Sequence, residues 1–486
     1  MSRLTDHGTA GGPASSPDQR SVDKTYFEQR SLRRGAAGWL LLAGLGVSYV
    51  ISGDFSGWNL GLAAGGWGGL LIAFVAMGVM YACMVFGLAE MSSSLPVAGA
   101  GYGFARRALG KLGGFATGLA ILIEYTIAPA AIAVFIGGYV ESLGLFGITN
   151  AWPVYLVCFA LFVGVHLIGV GEALKAMFVI TGVALVALVV FAIGMVPHFE
   201  TANLFDQPVS DVFGASAFLP NGVGGMIGAL VFGIWFFLAV EGVPLAAEEA
   251  GDPAKDMPRG IIVAMGVLVV TGAAVLLLAP GGAGSALMST SGSPLPDALR
   301  AVGEDGLAVF VNYAGLAGLV ASFFSIVYAY SRQLFALSRA GYLPTWLSRT
   351  NSRKTPTWAL VVPGAIGFVL AAVVADGDAL INVAVFGAAV SYVLLNLSHI
   401  VLRLREPDLE RPYRTPGGVV TTGVGLVLSL VAVVATFFVD VRAAGITAAI
   451  FAVGLLYFWL YSRHRLVAGA PEEEFAHLAG AESELR

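Results

Sequence analysis

The apolar residues of this chain arrive in long blocks separated by short polar stretches, and that spacing constrains the fold more than any other feature. A helix needs about 20 predominantly apolar residues to cross a bilayer. Twelve segments qualify, at 36–64, 67–92, 113–142, 152–170, 172–196, 222–249, 259–280, 306–338, 357–375, 379–404, 418–439 and 443–462. The chain is 57% hydrophobic and 12% charged, where soluble domains carry about 25% charged residues. These features predict an all-α membrane protein with twelve transmembrane helices.

Charge placement orients the spans, because Lys and Arg concentrate on the cytoplasmic side. Of 26 such residues, 24 fall in the N-terminal stretch, the C-terminal tail and alternate loops, leaving Arg300 and Arg442 on the other side. Both termini are expected in the cytoplasm of a cell (plasma) membrane protein. Residues 1–35 are polar, with no apolar core of a signal peptide, and residues 463–486 are polar with an acidic run. The outward loop 197–221 carries Glu200, Asp206 and Asp211 and no Lys or Arg. The stretch PDALRAVG before segment 8 reads as a short surface helix. Cys83 and Cys158 lie in different segments, outside any metal-spaced cluster, and read as buried free thiols.

Two segments are poor continuous helices. Segment 1 contains SYVISGDFSGWNLGLAAGG, where each mid-helix Gly costs about 1 kcal/mol against Ala. An ionisable Asp at mid-depth costs about 2.5–3.5 kcal/mol on insertion scales and normally faces a functional cavity. A break near Ile51–Asp54 is expected, since irregular backbone at that depth occurs where it lines such a cavity. Segment 6 places Glu241 mid-span, followed by Gly242 and Pro244, and Pro frees a carbonyl of the preceding turn. The two segments are five apart, and five is odd, so a second five-helix copy begins on the opposite face. Paired interrupted helices point to an inverted-repeat transporter with its site at mid-bilayer. The expected division is 36–196 for the first five-helix repeat, 222–404 for the second, and 418–462 for helices 11 and 12.

Four stretches resemble the amino acid–polyamine–organocation superfamily over nearly the full chain. Ile51-Ser52-Gly53 sits where that family has its Gly-Ser-Gly break. AEMSSSLPVAGAGYGFARRALGKLGGFATG, YAYSRQLFALSRAGYLP and LRLREPDLERPYRTPGG are similar to its loops after segments 2, 8 and 10. ISGDFSGWNLGLAAGGWGG is most similar to the ethanolamine permeases. The resemblance implies a leucine-transporter-like 5+5 core and a permease working by alternating access. It also implies that backbone at Ile51, Ser52 and Gly53 faces the substrate and that segment 6 carbonyls take its ammonium.

Asp54 departs from the carriers of amino acids. A fixed carboxylate there repels a substrate carboxylate where charge interactions are strong and favours a small primary amine such as ethanolamine; an amino acid is the alternative. Asp54 either lines the site or caps the second half-helix. Glu241 reads as an ammonium ligand or proton-linked gate, or as a protonated Glu between helices. Trp235 and Phe236 are candidate lids over the substrate, with Trp235 offering a cation–π face, and Leu238 lies in the same break. Glu124 lines the cavity or neutralises a buried partner. Ser322 and Ser325 offer hydroxyls to a sodium site or satisfy nearby carbonyls. His166 reads as a core residue, and Lys175 lies too near the cytoplasm to stand for the mid-segment-5 Lys of some proton-coupled relatives. Glu248, Glu249 and Asp252 facing Arg106, Arg107, Arg332 and Arg339 suggest an inner charge gate. No nucleophile–base pair, metal cluster or phosphate loop is present, so no enzyme activity, cofactor or nucleic acid partner is expected. The coupling ion, H+ or Na+, is open.

Overall fold

The computed structural model describes residues 38–95, 99–144, 150–169 and 171–467, with the side chains of 171–175, 248 and 249 outside the description. The calls on Lys175, Glu248 and Glu249 therefore fall outside the described residues, as do those on the tail before residue 38 and on residues 468–486. Among the described residues the fold is all-helical, with one isolated bridge between Thr350 and Pro356. The chain runs through α1 (Trp39–Val50), α2 (Ser52–Phe55), α3 (Leu60–Ser94), α4 (Gly101–Ser142), α5 (Trp152–Ile168), α6 (Gly171–Met195) and α7 (Gly222–Trp235). It continues through a 3-10 segment (Val240–Glu249), α8 (Pro253–Ala283), α9 (Ser285–Ser289), α10 (Pro294–Ala301) and α11 (Asp305–Arg339). It ends with α12 (Thr357–Val374), α13 (Gly377–Arg405), α14 (Val419–Val439) and α15 (Val441–Leu460).

Among the described residues, ten helices are long and apolar enough to cross a membrane; Trp39–Val50 and Trp152–Ile168 are apolar but shorter. The ends of the apolar segments are set by particular backbone conformations. Within α3 the chain turns at Gly66, φ +67°, a value reached without strain by glycine, and this is where segments 1 and 2 divide. A second turn at Gly110, φ +79°, lies inside α4. The basic run through Arg106 and Arg107 is therefore helical rather than a loop. The PDALRAVG stretch is helical as expected, but Leu295, Ala298 and Leu299 are buried, so it packs inward instead of lying on the surface.

The most extensive packing joins α4 to α13 and α3 to α7. Apolar side chains facing outward from α6, α12, α14 and α15 are widely exposed, as expected where lipid takes the place of water. The polar side chains are gathered inside, and they define the site.

Candidate functional site

Both breaks exist, and each is displaced from its expected position. Helix α1 ends with Ile51 N–H bonded to Val47 O, and the ladder then tightens to Asp54 N–H on Ile51 O. Ser52–Phe55 remain helical. The chain leaves helical geometry at Ser56, which is extended, and at Gly57, φ +90°. The break expected near Ile51–Asp54 thus lies at Ser56–Gly57, because the positive φ is available to Gly57, while Ser52 and Gly53 tolerate one more helical turn. In segment 6, α7 ends at Trp235 and Ala239 is left-handed, φ +79°. The opening precedes Glu241 instead of following it, and Pro244 sits within the 3-10 segment.

Three carbonyls around the segment 1 break take side-chain donors. Ser322 donates to Tyr49 O at 2.7 Å, Tyr139 to Phe55 O at 2.8 Å and the Trp235 indole to Ser56 O at 2.9 Å. The two breaks abut: a Cβ on Gly53 would lie 2.5 Å from Trp235 O. Trp235 is therefore pinned to the segment 1 break, with Phe135 edge-on at 6.0 Å, in place of standing free as a lid. Phe236 packs on Phe74 and Trp58, and Ile51 and Leu238 are buried beside them. Ser52 bonds Ser322 at 2.8 Å and Ser48 bonds Ser325 at 2.6 Å. These hydroxyls tie α1 and α2 to α11 and serve carbonyls, the structural alternative to a sodium site. His166 bonds Phe162 O within its own helix, consistent with a core role.

Asp54 is fully buried and neither carboxylate oxygen has a hydrogen-bond partner among the described residues. It accepts no backbone N–H, so the capping alternative does not hold in this conformation. The hydroxyl facing it is Thr271 of α8, whose single proton is within reach of Val267 O at 3.1 Å and Leu268 O at 3.3 Å in its own helix. A buried carboxylate without a partner is costly and fits a place for a cationic group.

Glu124 and Glu241 are brought into contact with each other. Glu241 accepts from Tyr125 at 2.9 Å and from Tyr392 at 3.2 Å. The Tyr392 hydroxyl is also 3.3 Å from Glu124 and 2.7 Å from the Tyr81 hydroxyl. Sequence reasoning missed Tyr81 and Tyr392; the signal was a tyrosine in the middle of each of two apolar segments. It also missed Glu90, near the end of α3, which gathers Arg403, Arg411 and His399.

Above the breaks, on the face away from most of the basic residues, lies a cavity of about 360 Å³. Ser56 and Phe135 form its wall toward Trp235, and Glu141, Asp376 and Asp378 are its acidic lining residues. Exposed Lys255 pairs with Asp252 at 3.0 Å on the basic side, where that acid makes a local ion pair.

The comparisons with known proteins follow this geometry. The family model described as "Amino acid permease" matches residues 40–467. A branched-chain amino acid permease of Bacillus subtilis is 27% identical over 90% of this chain and 94% of its own length. A methylthioribose transporter of Bacillus subtilis is 29% identical over 77% of this chain and 80% of its own. An L-asparagine permease of Streptomyces coelicolor is 27% identical over 88% and 91%. Its chain of apolar helices and a match spanning most of its length show that this multi-pass membrane protein is a transporter belonging to the amino acid permease family.

Proposed function

We propose that this permease is a secondary transporter for a small primary amine, ethanolamine by preference, moving it by alternating access around the breaks at Ser56–Gly57 and Phe236–Ala239. In this reading α1 with α2, together with α5, completes a set of twelve spans. The two five-helix sets are inverted repeats, and the basic face with both termini is cytoplasmic. The substrate site comprises Ile51, Ser52, Gly53, Asp54, Glu124, Trp235, Phe236, Leu238 and Glu241.

The observation that carries the reading is the buried, unpartnered carboxylate of Asp54 beside the segment 1 break. An amine offers it a charge-assisted hydrogen bond. A carboxylate-bearing substrate meets repulsion there, at about 4 kcal/mol for unit charges 4 Å apart at an effective dielectric of 20. The acids Glu141, Asp376 and Asp378 around the outer cavity favour a cation on the way in. The relative named for methylthioribose supports a scaffold not confined to amino acids. The relatives named for branched-chain amino acids and asparagine favour the second reading, an amino acid permease.

Uptake by proteoliposomes decides between them. Ethanolamine is expected to enter and to be lost in Asp54→Ser, with leucine and asparagine poor competitors. Saturable uptake of either amino acid, unchanged in Asp54→Ser, overturns the amine reading.

A further inference from the structure

Glu124 comes from α4 and Glu241 from the 3-10 segment; their carboxyls lie within hydrogen-bond reach of each other, and one hydroxyl, that of Tyr392, reaches both. A phenol carries a single proton and donates to one acceptor at a time, so Tyr392, within reach of both carboxylates, serves one and leaves the other. Tyr125 gives its proton to Glu241. Tyr81 bonds the Tyr392 hydroxyl from the far side, while Glu124 Oε2 has no protein donor and has the Glu241 carboxyl as its acidic neighbour. The ionisable groups reaching the pair are Tyr81 from α3, Tyr125 from α4, Tyr392 from α13 and, through Tyr125, Tyr49 from α1. Among the described residues no Lys, Arg or His is one of them. Two carboxylates buried together repel strongly, and hydrogen bonds from phenols supply no net charge. The pair needs one positive charge, and no residue that faces it brings one.

A line of buried polar groups leads away from the pair along α13. Asn396 lies one turn beyond Tyr392, about 6 Å on, and His399 two turns beyond, about 10 Å, at 1.5 Å per residue. Asn396 donates to Tyr392 O, and its buried amide oxygen has no partner. His399 meets Glu90 Oε2 and the Thr415 hydroxyl, each at 3.2 Å, and Thr422 at 2.9 Å. Glu90 in turn reaches the arginines of the basic face. Polar side chains at this depth are costly and mark pathways.

We propose that Glu124 and Glu241 form a proton-binding pair that couples transport to a proton gradient, with Asn396 and His399 as its route toward the basic face. One O–H bond forms when the proton arrives on a carboxylate, and the same bond breaks when it leaves to water; no other bond changes. The inference rests on the assignment of the chain as a transporter and holds for an amine or an amino acid, since Asp54 is not among the groups that reach the pair.

Two measurements test it. In proteoliposomes, an inward proton gradient is expected to drive solute accumulation with proton entry, read by an internal pH dye, while a sodium gradient drives none. Glu124→Gln is expected to lower proton-driven accumulation more than 10-fold, whereas Asn396→Leu, outside the substrate site, is expected to leave counterflow within 3-fold of the parent. Asn396→Leu slows proton-driven uptake several-fold. Infrared difference spectroscopy on the purified protein needs no substrate and so stands even where neither solute is carried. It is expected to show a protonated carboxyl band that appears and vanishes with pH and is lost in Glu124→Gln. Tyr392→Phe, which keeps both carboxyls, is expected to shift the pH at which the band changes. Accumulation driven by sodium, exchange with no accumulation under either gradient, or a band indifferent to Glu124→Gln overturns the proposal.

Discussion

Glu90 and Glu241 are both buried in the helical core, and their surroundings are opposite. Glu90 takes both nitrogens of a fork from Arg403, at 2.7 and 2.5 Å, with Arg411 Nε at 2.9 Å and the Thr415 N–H at 2.7 Å. Arg411 also caps the end of α13, donating to Leu402 O and Glu406 O. Glu241 sees tyrosines. The first carboxylate is locked by charges that cannot leave, since Arg stays protonated. The second has hydrogen-bond donors and no resident charge. A buried acid held by arginines fixes structure, whereas one held by phenols remains open to a mobile cation.

The comparison breaks first at Glu90. Removing one partner of a buried ionic cluster costs about 3–5 kcal/mol, because the charges left behind are uncompensated. Glu90→Ala is therefore expected to lower the Tm of the detergent-purified protein markedly. Glu241→Gln keeps the shape and one of the two hydrogen bonds from tyrosine, since an amide nitrogen cannot accept the other, and is expected to abolish transport with a smaller change in Tm than Glu90→Ala. A stable Glu90→Ala, or a Glu241→Gln that unfolds, would reverse the roles assigned to the two acids.

Tyr392→Phe comes next in size. It strips Glu124 and Glu241 of their common donor and Tyr81 of its partner, at a cost of about 1–3 kcal/mol for buried polar groups left unpaired. Thermal unfolding together with uptake measures both consequences, and a neutral result on both would remove Tyr392 from the cluster. A milder change sharpens the Glu90 side. Arg403→Lys keeps the charge and loses the fork, and bidentate geometry is what distinguishes the two residues. Its expected cost is about 1 kcal/mol, the size of a typical hydrogen bond, read as a small drop in Tm with transport retained.

The same contrast explains how much was legible in the sequence. Apolar block length located the helices, because lipid leaves little choice of backbone. Gly53, Asp54, Gly57 and Glu241 marked two interrupted segments, because each is unfavourable in a continuous span. The points of rupture were not legible: at Ser56–Gly57 the freed carbonyls of Phe55 and Ser56 are taken by Tyr139 and Trp235, which is a tertiary matter. Nor was the pairing of Glu124 with Glu241, since it depends on Tyr81, Tyr125 and Tyr392 meeting from three helices. A tyrosine inside an apolar block is unremarkable until its neighbours are known. Glu90 was read past for a related reason: its partners Arg403 and Arg411 are more than 300 residues away and read as ordinary loop charges.

The smallest expected effect lies at the rim of the basic face, where Arg107 grips Glu406 through Nε at 2.9 Å and through its terminal nitrogen at 2.7 Å. Each side chain is 29% exposed, so this pair stands between the buried Glu90 cluster and a solvated bridge. The hydrogen bond from Arg107 holds the Glu406 carboxyl below its ordinary range. A carboxyl lowered in the fold contributes stability above its unfolded value, about 4.3 for Glu, and loses it as pH falls through the folded value. Exposed pairs contribute about 0.2–1 kcal/mol. Glu406→Gln is accordingly expected to lower Tm slightly at neutral pH and to differ progressively less from the parent as pH falls below about 4. The check is a thermal melt of both proteins across that range. A difference as large as that of Glu90→Ala would show that the loop after α13 is clamped by Arg107 as firmly as by Glu90, and a difference that grows toward acid would contradict the direction of the shift.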